Sequence, residues 1–147
     1  MGFTQVEGVD YDETFASVMA TKSFRIFLAL YNNDKSLHFE HWDVKSAFIN
    51  APLEETVYCR QVPGFEIPGK EGKILLLKKA LYGTKQAANA WQNFLSKILI
   101  SIGARRHPKD EAVYLFREGE GFCFLGTHVD DLFPLFNEKG RVIRDKF

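Results

Sequence analysis

Apolar positions along this chain change period several times, and each change marks an element. From about Thr21, Phe24, Phe27, Leu28 and Tyr31 fall at i, i+3, i+4 and i+7, the stripe of an amphipathic helix, and Asn32, Asn33 and Asp34 close it with turn chemistry. Leu37, Phe39 and the run to Val44 predict a strand that delivers Asp43 at its end. A short helical turn over Ser46 to Ile49 follows, broken by Pro52. Val57 to Gln61 is a short strand, Pro63, Gly64, Pro68 and Gly69 mark a surface loop, and Lys73 to Lys79 is a β-type run. Gln86 to Ile102 gives the clearest helix, with Trp91, Leu95, Ile98, Leu99 and Ile102 on one face and Gly103 as its stop. Val113 to Phe116 and Phe122 to Val129 predict strands separated by a turn at Glu118 to Gly121. Leu132 to Phe136 is the return arm of a hairpin whose tip is Asp130-Asp131. The opening Gly2 to Asp12 is polar and glycine-containing, a loop or an extended edge.

Helices and antiparallel strands mixed in this order predict an α+β fold, an antiparallel sheet with packed helices. With 147 residues, no internal repeat and no linker, a single domain is expected over residues 1–147. Hydrophobic residues at 46% and charged residues at 26% describe a core-forming chain and exclude a disordered one. The 14 phenylalanines imply an aromatic-rich core or a surface that expects a partner. Lys+Arg and Asp+Glu both count 19, so a nucleic-acid partner would have to be met by a local patch such as Lys70, Lys73, Lys78, Lys79 and Lys85. Cys59 and Cys123 are isolated, which suits packed thiols in a reduced intracellular setting. The apolar runs are all too short to span a membrane.

Three aspartates are the candidate chemistry. Asp130-Asp131 alone is ordinary turn sequence, but Val129 and Leu132 on either side place it on a buried hairpin. Asp43 is similarly framed in His41-Trp42-Asp43-Val44-Lys45-Ser46-Ala47-Phe48. A strand-end aspartate beside such a hairpin can supply the converging carboxylates that two-metal phosphoryl transfer requires, and hard carboxylate oxygens suit Mg²⁺. His38 and His41 lie three apart on the expected strand with no cysteine pair near them, and are read as structural. There is no phosphate-binding glycine loop and no recognisable Ser-His-Asp spacing.

Taken together, the segments resemble the reverse transcriptase of copia-type LTR retrotransposons along nearly the whole chain. The resemblance is carried by Gly2-Phe3-Thr4-Gln5, by Asp10-Tyr11-Asp12-Glu13-Thr14-Phe15-Ala16, and by Asp43-Val44-Lys45-Ser46-Ala47-Phe48-Ile49-Asn50. Leu53-Glu54-Glu55, Pro63-Gly64-Phe65, Leu81-Tyr82-Gly83, Lys85-Gln86-Ala87, Trp91 and Val129-Asp130-Asp131 continue it in order. The resemblance implies part of a right-hand polymerase, fingers then palm, acting as an RNA-directed DNA polymerase. Asp43, Asp130 and Asp131 would then be the catalytic residues and the ligands of two Mg²⁺ or Mn²⁺ ions. It implies nucleotide-binding roles for Phe48, beneath the incoming sugar, and for Gly83, Lys85 and Gln86 at the entry to the palm helix. Without the resemblance, Phe48 reads as core packing and the other three as a turn and a helix start. The partners implied are an RNA/DNA primer–template, deoxynucleotide triphosphates and the rest of a polyprotein, in a cytoplasmic virus-like particle or the nucleus, with no membrane.

Several positions depart from that family's pattern. His128 stands where tyrosine is usual, Ala88-Asn89 where Pro-Arg is usual, and Ser17 and Ala20 where proline and arginine are usual. Pro134 lies in the returning arm and predicts an edge, bulged or misformed strand there. Met1 replaces a basic residue, and the upstream fingers strand, the thumb and the RNase H domain are expected to be absent. The alternative function is a catalytically inactive relic of the element, or a co-opted binding or assembly module.

Overall fold

A computed structural model describes residues 2–147; Met1, with its departure from the family's basic residue, lies outside them. The elements in chain order are a 3-10 turn at Gly2–Thr4, α1 (Thr21–Asn33), β1 (Leu37–Phe39), β2 (Trp42–Asp43), α2 (Ala47–Asn50), β3 (Pro52–Arg60), β4 (Ile74–Lys79), α3 (Ala87–Ser101), β5 (Arg105–His107), β6 (Asp110–Glu118), β7 (Gly121–His128), β8 (Asp131–Asn137), a second 3-10 turn (Glu138–Gly140) and α4 (Arg141–Arg144). The fold is mixed α and β with antiparallel sheets. It divides into two compact units, one of the described residues up to Phe15 with Phe48–Phe94, the other of Ala16–Ala47 with Leu95–Phe147.

The second unit is built on an antiparallel sheet of order β1-β8-β7-β6-β5, with β2 also paired to β8. Alternation along β8 assigns its two faces. Phe133 and Leu135 face α1, where Phe27, Met19, Leu37, Ala112 and Val113 complete a buried cluster. The Phe24 ring meets that of Phe133 edge-on at 5.1 Å. Pro134 and Phe136 face the other way, and the Arg144 guanidinium of α4 lies 5.3 Å over the Phe136 ring. Gly140 permits this covering, because a Cβ there would stand 2.1 Å from the Phe122 carbonyl oxygen. No α1 residue side chain caps its start; instead the Asp110 carboxylate accepts the Ala20 N–H (3.0 Å) and the Ser23 hydroxyl (2.5 Å), placing negative charge at the helix N-terminus.

The first unit rests on the two-stranded β3–β4 sheet. Its long loop is organised by Gln61, whose amide nitrogen donates to the Lys70 and Lys73 carbonyls while its oxygen accepts the Ile67 N–H. Ala80 N–H returns to the Ala51 carbonyl at 2.9 Å. Tyr58, Ile74 and Leu76 remain exposed, as a two-stranded sheet cannot cover both of its faces.

The structure corrects several sequence expectations. Pro52 does not merely end the preceding helical turn; it begins β3, a first-strand position where the missing N–H costs little. The expected strand from Leu37 to Val44 is two short strands, and β5, of three residues, was not anticipated. The hairpin tip is Val129-Asp130, because Asp131 already pairs with His128 as the first residue of β8. Ile98, expected on the apolar face of α3, is 41% exposed, whereas Trp91, Leu95 and Leu99 are buried. Gly103 does stop α3: Gly103 N–H returns to Ile100 and Ala104 N–H to Leu99, with Gly103 at φ 99°.

Pro134 neither lies on an edge nor distorts β8, which is flanked on both sides and pairs Pro134 with Leu125 in register. The irregularity is in the neighbouring chain. Ladder pairing stops at Phe39–Leu135 and resumes at Trp42–Leu132. The Pro134 carbonyl accepts Glu40 N–H at 3.0 Å, and in an extended strand a residue's N and O point to the same side. The absent donor of Pro134 therefore faces the gap between β1 and β2, where no ladder bond is required of it.

Candidate active site

The three candidate carboxylates come from two adjacent strands and the turn that joins β8 to β7. Asp43 and Asp131 are direct cross-strand partners in the β2–β8 ladder, so their side chains rise from the same face of the sheet. Val44 N–H donates to the Asp130 carbonyl at 2.8 Å, which carries the pairing onto the turn and ties Asp130 to the strand holding Asp43. Asp43 is exposed, and Asp130 and Asp131 are half-buried.

Backbone strain gathers at the same place. Among the described residues the two non-glycine positions with positive φ are Val129 at 57° and Ser46 at 56°. Val129 immediately precedes Asp130, and Ser46 lies three positions after Asp43. A β-branched residue in the left-handed region is uncommon, and such strain persists only where surrounding structure imposes it. Here the turn is imposed by full pairing of β7 with β8 up to His128 and Asp131.

One residue missed from sequence joins the site. His41 Nε2 lies 2.6 Å from Asp131 Oδ1, and its ring stacks on Phe133 with centroids 5.0 Å apart and planes at 15°. Its signal was its place two residues before Asp43, which puts both on one strand face. His38, by contrast, points to Glu138 Oε2 at 2.9 Å and stacks on Phe136, a structural role on the other face. His128 is exposed and is the register partner of Asp131.

Three carboxylates on paired strands are hard oxygen donors of the kind Mg²⁺ or Mn²⁺ takes. Among the described residues, though, no three His, Cys, Asp or Glu side chains stand close enough together to hold one. The donors thus share one scaffold without being converged, and one oxygen of Asp131 is engaged by His41.

The four candidate nucleotide-binding residues belong to the other unit. Phe48, half-buried on α2, packs against Tyr82 with ring centroids 4.4 Å apart. Gly83 adopts φ 87° and its carbonyl accepts Gly2 N–H at 2.9 Å. Lys85 is exposed, and its backbone N–H donates to Gln5 Oε1 at 2.8 Å. Gln86 is only 2% exposed; its amide nitrogen donates to Glu55 Oε2 and to the Asp10 carbonyl, and its oxygen accepts from Gln5. Asn89, at one of the departures from the expected pattern, donates to the Phe15 carbonyl at 2.6 Å. The cysteines differ in setting. Burial drives the Cys123 thiol up to about 12, with the Glu40 charge adding to the rise and Arg144 opposing it, which removes Cys123 as a nucleophile.

Known proteins share this sequence pattern. A family model described as Reverse transcriptase (RNA-dependent DNA polymerase) matches residues 1–145. The chain is 36% identical over 146 residues to the Retrovirus-related Pol polyprotein from transposon TNT 1-94 of Nicotiana tabacum, a match over 99% of this chain and 11% of that protein. It is 34% identical over 137 residues to the Retrovirus-related Pol polyprotein from transposon RE1 of Arabidopsis thaliana, covering 93% of this chain and 9% of that protein. The transposon RE2 polyprotein of the same plant is 33% identical over 137 residues, covering 93% of this chain and 9% of that protein. No solved structure matches the chain. Among the described residues no helix is long and apolar enough to cross a membrane.

Proposed function

Because the chain belongs to the reverse transcriptase (RNA-dependent DNA polymerase) family of retrotransposon Pol polyproteins, we propose that it supplies the carboxylate-bearing core of an RNA-directed DNA polymerase. The observation that carries this function is the direct cross-strand pairing of Asp43 with Asp131, with Asp130 on the adjoining turn. In this assignment the unit holding those aspartates is palm, and the unit holding Phe48, Gly83, Lys85 and Gln86 contributes fingers and the entry to the palm helix.

Asp43, Asp130 and Asp131 would hold two Mg²⁺ or Mn²⁺ ions. When bound, such ions make a primer 3′-hydroxyl easier to deprotonate and neutralise the triphosphate of an incoming deoxynucleotide. The protein's own part is to fix the carboxylates. Two of them sit on hydrogen-bonded strands and the third on a two-residue turn, so the backbone that carries them is held in place. Phe48, braced by Tyr82, would offer its ring to the sugar, and Lys85 its charge to a phosphate. Gly83 presents backbone in a conformation that other residues resist. Gln86, buried with its polar atoms spent, would act by holding the Gly83–Lys85 loop through Gln5. The partners are a primer–template and deoxynucleotide triphosphates, with the rest of a Pol polyprotein completing the grip on nucleic acid.

Primer extension on an RNA template with Mg²⁺ or Mn²⁺ tests this. Extension that drops at least about 100-fold in Asp130→Asn and Asp43→Asn is expected, since each loses a charged ligand of the reacting centre. A second function, a non-catalytic binding or assembly module, is favoured by the formal net charge of zero and by the unconverged ligands. Absence of both extension and Mn²⁺ binding would overturn the catalytic function for this chain and leave reverse transcriptase as its ancestry.

A further inference from the structure

We infer that copies of this chain associate head to tail, the Pro63-Gly64-Phe65 loop of one copy inserting its apolar tip into the cleft beside α1 of another. The inference does not depend on the polymerase assignment. The loop holds an aromatic ring in water, and holds it stiffly. Phe65 is 84% exposed, with Val62 at 62% and Ile67 at 46% on either side of it in the chain. Phe65 N–H bonds to the Val62 carbonyl at 2.9 Å with Gly64 at φ 84°, a type II turn with Pro63 at its second position. Lys70 N–H bonds to the Ile67 carbonyl at 2.9 Å with Gly69 at φ 76°, so Ile67-Pro68-Gly69-Lys70 repeats that turn. In each, a carboxylate two residues on accepts the glycine N–H, Glu66 from Gly64 and Glu71 from Gly69, both at 2.8 Å. Gln61 ties down the base through the Ile67 N–H and the Lys70 and Lys73 carbonyls. An anchor already ordered in this way loses little entropy when it is covered.

The receiving surface lies in the other compact unit. There α1 and the sheet leave between them a cleft of about 280 Å³. Phe27 and Val113 are its buried lining, Phe124 is half-buried, and Ile26 and Leu30 are exposed. An apolar cavity of roughly 150 Å³ takes up benzene, so a phenyl ring has room here with space for Val62 or Ile67 behind it. Ser23, on the same lining, already gives its hydroxyl to Asp110, so an apolar guest leaves it satisfied.

Charge agrees with shape. α1 carries Lys22 and Arg25 and no acidic residue, and Lys22 lies one turn before Ile26. The charge next to Phe65 is Glu66, whereas Lys70 and Lys73 belong to the base of the loop that Gln61 holds. A nucleic-acid strand stacked on Phe65 would bring its phosphates to the Glu66 carboxylate, which favours a protein surface as the occupant. Loop and cleft are different surfaces, so the contact is heterologous and each copy offers one of each.

Sedimentation velocity of the whole chain over a range of concentrations tests this. The weight-average mass of the wild type should rise above that of one copy as concentration increases. Phe65→Ser removes the tip, and Ile26→Glu puts a charge into the cleft. Each should weaken association at least about 10-fold. Both positions are exposed, so the thermal midpoints should not change. Mixed together, the two variants should form a one-to-one complex that grows no further, because one intact loop and one intact cleft remain between them. A wild type that stays single at every concentration would overturn the inference. So would a variant that assembles as the wild type does, or a mixture that forms no complex. If either substitution lowers the thermal midpoint, Val62→Ser and Leu30→Glu replace the pair at neighbouring exposed positions, with the same outcomes expected.

Discussion

Cys123 shows how a single buried atom sets a pH limit. Its thiol is pushed from an ordinary 9.0 to about 12, first by burial and then by the Glu40 charge, against the pull of Arg144. The folded chain thus keeps a proton that the unfolded chain releases above about pH 9. This contribution to stability is complete below about pH 9 and declines as the pH rises towards about 12, by at most about 1.4 kcal/mol per pH unit. Urea denaturation of wild type and Cys123→Ala at about pH 8 and about pH 10.5, on either side of the ordinary thiol range, should show the gap between them narrowing at the higher pH. A gap independent of pH would contradict it. The packed character of Cys123 was legible from its isolation between apolar neighbours. Other residues were less so. Nothing in a valine announces a φ of 57°, so the strain at Val129 was invisible until the pairing of its flanks was known. The three-residue distance from His38 to His41 carries no information about the site, whereas the two-residue distance from His41 to Asp43 does.

At the scale of elements, periodicity found most of the secondary structure and missed what depends on neighbours. The Gly103 stop of α3 is a local signal and was realised, whereas the α1 helix forms with Phe27 buried and Phe24 partly buried but with Leu28 and Tyr31 of its expected stripe exposed. The break between β1 and β2 is not local. It reflects Pro134, far away in sequence, which faces that gap. Gly140 is another case in which the partner, not the residue, carries the information. A methyl there would stand 2.1 Å from backbone oxygen of Phe122, which cannot swing aside as a side chain would. Gly140→Ala should therefore cost about 2–4 kcal/mol by displacing α4 from the sheet, in the range of severe steric substitutions. Gly72 gives the control: a methyl placed there would meet nothing within 4 Å, and its φ is not positive. Gly72→Ala should change stability by less than about 0.5 kcal/mol. Chemical denaturation of the two variants decides; equal effects would contradict the close approach.

At the scale of the whole molecule, the α+β class and the family were legible because switches of period and short ordered segments survive in a linear reading. The two compact units were not, since each is interrupted by the other in sequence and no linker separates them. They differ in how they hold themselves together. The unit with β7 and β8 buries a continuous aromatic cluster under α1, whereas the β3–β4 sheet leaves Tyr58, Ile74 and Leu76 exposed and relies on the bonds of Gln61 and Gln86. Local opening follows the density of buried apolar packing. Amides of β3 and β4 should therefore exchange with deuterium at least about 10-fold faster than those of β7 and β8. Equal protection in the two sheets would mean that the units open together.

The short strand β2 carries one more consequence, in the face it shows. Trp42 and Asp43 are neighbours with opposite needs: the indole lies edge-on to Phe147 at 6.0 Å and donates to Glu40 at 2.8 Å, while the carboxylate is exposed. A slip of one residue would exchange them, putting a second carboxylate beside Glu40 and Phe147 and an indole among the candidate carboxylates. Trp42 therefore works as a key cut for one orientation of its strand. The packing of Trp42 against Phe147 and Glu40 thereby favours the strand orientation that leaves the candidate catalytic aspartate beside it exposed.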